Sequence, residues 1–274
     1  MQQISLPGGP AIAFDDSGAP GNGGPETAII FSHGYMMNRT MFAPQIAHFS
    51  PRWRCISWDA RGHGDTEWEG PFTYWDSARD LLGLMDALKL DQVLHVGMSQ
   101  GGLVGMRAVL LQPERFHGLV QLSTQAGELP AGKDDSFPRL IADWIENGPD
   151  EQKVEFLGSF ILGPGVDHAY WHDAWSRMSK TKIRDATGAL TTIDPLWDRL
   201  KDVRVPVATI HGLADIATSH ELGLLTPQGV PDPRGVSLIP GGPHAANLSH
   251  PVRVNKAIED FLDELIAENP ELRG

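Results

Sequence analysis

Cysteine is nearly missing from this chain. Cys55 stands alone among 274 residues, so no intrachain disulfide can form and the fold must be held by its core. Its setting, WRCISWD, reads as a strand interior and makes it a buried structural thiol. Basic residues are also in deficit: 22 Lys and Arg against 35 Asp and Glu leave a formal net charge of −13. Such a field repels nucleic acid and anionic lipid surfaces and favours neutral or apolar small molecules as partners. No apolar run approaches the roughly 18 residues of a membrane span. The N-terminal MQQISLPGG carries neither the basic nor the apolar segment of a secretory leader. The expected compartment is the cytoplasm, with no membrane or nucleic-acid partner.

The 41% hydrophobic content suits a chain with a sizeable core, and its arrangement is periodic. ISL and AIAFDD, joined by PGGP, predict a hairpin. TAIIFSH then reads as a buried strand, RTMFAPQIAHF as a short helix, WRCISWD as a strand, YWDSARDLLGLMDALKL as an amphipathic helix and VLHVG as another strand. GGLVGMRAVLLQ and GLVQLS continue the alternation. Parallel neighbours need crossover connections, so this pattern predicts an α/β fold with helices on both faces of a mostly parallel sheet. From about Glu128 to Pro195 the alternation gives way to helical segments around FPRLIADWIENG, EQKVEFLGSFIL and DHAYWHDAWSRMS. It resumes with VPVATIHG, GVSLIP and a last helix from His250 to about Glu268. The expected organisation is a core formed by residues 1–127 and 196–274, with residues 128–195 as a helical cap over one edge.

In open parallel sheets the functional groups gather beyond the carboxyl ends of the strands. Ser99 follows VLHVG, Asp215 follows VATIHG and His244 follows VSLIPGG. Serine, aspartate and histidine in that order are the parts of an acyl-transfer triad. An alcohol is a poor nucleophile at neutral pH, so Ser99 needs His244 to take its proton, and Asp215 would orient the imidazole and stabilise its positive charge. The negative oxygen of a tetrahedral intermediate needs two backbone N–H donors, which Tyr35 and Gln100 are placed to supply. The flanking glycines of Gly97-Met98-Ser99-Gln100-Gly101 fit a turn too sharp for side chains on either side. His244 and Asp215 each have a rival: His250 competes with His244 but precedes Pro251 and reads as a helix cap, and Glu128 is the alternative acid to Asp215.

SHGY, WDARGHG, GMSQGG and GGPHAANLSHP together resemble the α/β-hydrolase superfamily over nearly the whole chain outside the cap. The resemblance implies an eight-stranded sheet with antiparallel early strands, a variable helical cap and no organic cofactor. Among its subgroups the chain is similar to cofactor-free esterases, lactonases and haloperoxidase-like perhydrolases. The expected activity is cleavage of a carboxylic ester or lactone through an acyl-enzyme on Ser99. The alternatives are a ligand receptor on a hydrolase scaffold, with slow or single turnover, and perhydrolase or haloperoxidase-like activity.

Other chemistry-bearing residues receive structural readings. Asp59, Arg61 and His63 in DARGHG are expected to organise the sheet edge. His168 and His172 have a metal-compatible spacing but no third ligand, so no metal site is expected. Trp171, Trp175 and Met178 lie at helical spacing, with Trp144, Phe156 and Phe160 on neighbouring segments. Tyr35, Trp144, Trp171, Trp175 and Met178 are the expected lining of an apolar pocket above Ser99, suited to a bulky or aromatic uncharged group.

Overall fold

Strands that read as unbroken apolar runs belong where both faces of a sheet are covered, and the computed structural model places them there. It describes residues 1–20, 27–127, 136–164 and 166–273. β1 (Gln2–Ser5) and β2 (Ala11–Asp16) form the hairpin, followed by β3 (Ala28–Ser32), β4 (Arg54–Trp58), β5 (Val93–Met98), β6 (Phe116–Leu122), β7 (Val207–Gly212) and β8 (Pro233–Ile239). The eight strands form one sheet in the order β1-β2-β4-β3-β5-β6-β7-β8. β1 and β2 are antiparallel to each other, β2 is antiparallel to β4, and the remaining neighbours are parallel. The α/β-hydrolase fold expected from the sequence is the fold observed.

The crossover helices are α1 (Ala43–Phe49), α2 (Tyr74–Ala87) and α3 (Gln100–Leu111). RTMFAPQIAHF divides into a 3₁₀ turn over Arg39–Phe42 and then α1, with a proline in the first turn of the helix. At the start of α2, Thr73 and Asp76 form a reciprocal capping box, which satisfies two otherwise orphaned N–H donors. Cys55 is 1% exposed within β4, and burial pushes its thiol up to about 12.

Between β6 and β7 lie α4 (Ser136–Asn147), α5 (Glu151–Ile161), α6 (Ala169–Ser176) and α7 (Lys180–Thr191). Trp144, Leu157 and Ile183 of this insertion are fully buried. The helical turns α8 (His220–Gly223) and α9 (Thr226–Gly229) follow β7, and α10 (Ala246–Ser249) follows β8. α11 (Pro251–Glu268) closes the fold, burying Val254, Ile258, Phe261, Leu262 and Leu265 along one face. His250 occupies the position before α11, but its side chain does not cap the helix. Its Nδ1 lies 2.9 Å from Ser249 Oγ, and Pro251 presents no N–H at the first helical position.

Candidate active site

Ser99 sits where β5 turns into α3, with φ 50° and ψ −116°. That backbone is strained for an L-residue, and its surroundings explain why glycine flanks it. A Cβ on Gly97 would lie 2.5 Å from the Gly101 carbonyl carbon, and one on Gly101 would lie 2.0 Å from the Ser32 oxygen. The turn is pinned from both sides: the Ser99 N–H donates to the Leu122 carbonyl at 2.8 Å, and the Ser99 carbonyl accepts from Thr124 Oγ1 at 2.8 Å.

His244 and Asp215 come from the loops beyond β8 and β7. His244 Nδ1 lies 2.8 Å from Asp215 Oδ2, leaving Nε2 as the ring nitrogen not committed to the carboxylate. His244 lines the same cavity as Ser99. The Asp215 side chain is fully enclosed, and its other oxygen, Oδ1, accepts from the Ala217 and Thr218 N–H groups, each at 2.9 Å. His211, which the sequence reading passed over, lies with Nε2 3.2 Å from Asp215 Oδ2. Burial pushes the Asp215 carboxyl up, but the charge of His244 and the hydrogen bonds from His211, His244 and the Thr218 N–H outweigh it and hold the group well below the usual carboxylate range. Glu128 lies outside the described residues.

Gln100 is the first residue of α3, so its N–H is among those that no carbonyl within the helix can satisfy. Its side-chain oxygen accepts from the Tyr74 hydroxyl at 3.2 Å. Tyr35 follows Gly34 in the loop after β3, and both line the cavity beside Ser99.

The apolar walls of the cavity are Met37, Met98, Phe137, Phe160, Ile161 and Leu190. No described lining residue is a lysine or arginine. Phe137 and Phe160 stack with ring centres 4.9 Å apart, and Phe156 continues the stack beyond Phe160 at 5.8 Å. Of the five residues expected to line it, Tyr35 does so. Trp144 is 0% exposed and absent from the lining, as is Trp171. Trp175 and Met178 line a second, polar cavity beside Asn38, Asp65 and Lys182. The expected tryptophans have other partners: the Trp171 and Trp175 rings lie 6.1 Å apart, and Trp175 Nε1 donates to the Met36 carbonyl, in the loop after β3, at 2.8 Å.

The remaining polar motifs have structural partners. Asp59 accepts from the Arg39 N–H at 2.7 Å, from Arg39 Nη1 at 2.5 Å and from the Asp65 N–H at 2.8 Å. Arg61 forms two 2.6 Å bonds to Asp80. Burial pulls His63 down to about 3 and His33 to about 4, so both rings are neutral at physiological pH. His168 Nε2 lies 2.9 Å from the Gly163 carbonyl, and among the described residues no group of three or more His, Cys, Asp or Glu is placed to hold a metal.

The architecture has known counterparts. Residues 27–164 match the model of the alpha/beta hydrolase fold family. The chain is 35% identical over 239 residues to 3-oxoadipate enol-lactonase 2 of Acinetobacter baylyi, a match covering 85% of this chain and 87% of that one. Among solved structures, an enol-lactonase from Burkholderia xenovorans LB400 superposes with a TM-score of 0.84 at 23% identity, covering 96% of this chain and 100% of that one. A thermophilic esterase from Thermogutta terrifontis does so with a TM-score of 0.84 at 22% identity, covering 97% and 99%. The chain therefore belongs to the α/β-hydrolase fold family.

Proposed function

We propose that the protein is a serine hydrolase that cleaves a carboxylic ester or lactone through an acyl-enzyme on Ser99. The observation that carries this reading is the 2.8 Å contact of His244 Nδ1 with buried Asp215, beside a strained serine on the wall of the same cavity. A relative at 35% identity is an enol-lactonase, which supports an ester-type bond as the target.

In this mechanism His244 Nε2 takes the Ser99 proton as the oxygen attacks the acyl carbon. Asp215 fixes the tautomer by accepting the Nδ1 proton and stabilises the imidazolium that forms. The Tyr35 and Gln100 N–H groups receive the oxyanion. His244 then returns the proton to the leaving alkoxide, and a water molecule activated by the same ring resolves the acyl-enzyme. With aromatic and aliphatic walls and no cation among the described lining residues, the cavity suits a bulky apolar or aromatic substrate without charge near the scissile bond. A lactone would open on attack and remain attached to Ser99 until hydrolysis.

A fluorophosphonate probe should modify Ser99, as mapped by peptide mass, and Ser99→Ala should abolish labelling. The same substitution should lower kcat on the best substrate of an ester and lactone panel by about 10⁶-fold. Labelling at another residue, or turnover by a clean Ser99→Ala preparation, would refute the assignment. Within the panel, carboxylate-bearing acyl groups should be turned over least.

A further inference from the structure

Met36 has φ +57°, a left-handed conformation that a non-glycine residue keeps only where its surroundings hold it. It directly follows Tyr35, whose backbone N–H is one of the two oxyanion donors in the proposed mechanism. Within the loop itself the Gly34 carbonyl accepts from the Met37 N–H at 3.1 Å and lies 2.7 Å from His33 Nδ1, and two further holds come from the insertion. Trp175 Nε1 of α6 donates to the Met36 carbonyl at 2.8 Å, and the Trp175 side chain is 1% exposed. The Tyr35 hydroxyl lies 2.7 Å from Thr187 Oγ1 of α7. Thr187 gives its own proton to the Ile183 carbonyl at 2.6 Å, so in the contact with Tyr35 the phenol donates and the threonine accepts. Two helices of the insertion thus grip adjacent residues of the oxyanion loop, each through a directional hydrogen bond.

Resting on the acyl-transfer reading, we propose that Trp175 and Thr187 are positioning residues that aim the Tyr35 amide at the developing oxyanion. The insertion then acts on the chemical step as well as roofing the cavity. The effect is selective because the substrate carbonyl oxygen becomes fully anionic only in the tetrahedral state, so a misaimed donor is felt there more than in binding. Neither Trp175 nor Thr187 lines the Ser99 cavity, so their removal takes no wall away from the substrate.

The test uses Trp175→Phe, which keeps an aromatic ring without the donor, Thr187→Val, which keeps the shape without the hydroxyl, and Thr187→Ser, which returns it. The full chain is assayed on p-nitrophenyl acetate and titrated with butylboronic acid, which forms a tetrahedral adduct on a catalytic serine. Trp175→Phe and Thr187→Val should each lower kcat about tenfold, less than outright loss of an oxyanion donor, with KM within about twofold. Boronate affinity should fall by a similar factor, and Thr187→Ser should restore both. If Trp175→Phe fails to fold by circular dichroism, the Thr187 pair decides alone. Unchanged kcat in a folded Thr187→Val, or a kcat loss with boronate affinity intact, overturns the inference while Ser99→Ala remains inactive. Activity surviving in Ser99→Ala would instead reject the acyl-transfer reading, and this inference with it.

Discussion

Two buried groups of aspartate and histidine stand beyond the carboxyl ends of the strands, and their surroundings differ. After β4, Asp59 is 0% exposed and meets the Arg39 guanidinium and two backbone N–H groups. The nearby His63 and His33 rings pack on each other with centres 5.0 Å apart, and burial suppresses their protonation. After β7 and β8, Asp215 is equally enclosed, yet its principal partner is an imidazole that also borders a cavity. Residue type and burial are therefore poor guides to chemistry. What separates the two groups is whether a ring oriented by the carboxylate also faces space a substrate can enter.

The contrast is most sharply tested at the two aspartates. Asp215→Asn should lower kcat by about 10⁴-fold while leaving the fold intact, because the amide favours the wrong tautomer of the histidine. Stopped-flow or initial-rate assays would measure it, and a loss under tenfold would place Asp215 among structural groups. Asp59→Asn should act chiefly on stability, lowering it by about 3 kcal/mol in urea titrations, because it removes a charge from the buried Arg39 cluster. If that substitution instead abolished kcat in a folded protein, the division between the two groups would fail.

Acid should reveal the same difference through linkage. The folded-state value of Asp215 lies below its unfolded one, so its stabilisation is complete above the ordinary carboxylate value of about 3.9 and is lost as pH falls through the folded value. The stability gap between parent and Asp215→Asn should hold near pH 7 and shrink in strong acid; a gap that widened there would reverse the sign. The smallest expected effect is on selectivity: Phe160→Ala should reduce kcat/KM for benzoyl relative to acetyl esters by about tenfold, as expected for a lost aromatic contact. An unchanged ratio would mean that the Phe137–Phe160 stack does not touch the acyl group.

The sheet was readable because its signals are local. Runs such as AIIF and VLHVG declare buried strands, and a glycine-flanked serine between strand and helix marks a turn whose neighbours leave no room for a Cβ. The pocket wall was not readable in the same way. Phe137 and Phe160 reach the cavity, while Trp171 and Trp175 pack away from it, as a consequence of how four helices are rotated and stacked on the sheet. Periodicity assigns a helix an apolar face without saying which neighbour that face meets. His211 was overlooked for a related reason: within VATIHG it reads as one more strand residue, and only the turn after β7 brings Asp215 against it.

The contorted serine carries a further lesson about design under conflict. A glycine at position 99 would adopt the φ of 50° seen there with less resistance, so Ser99→Gly is expected to melt at a higher temperature than its parent even as it loses the reactive oxygen. On the proposed reading of Ser99 as the nucleophile, the hydroxyl is carried at a left-handed backbone position that glycine would occupy more comfortably, so reactivity is held there at some expense to the fold.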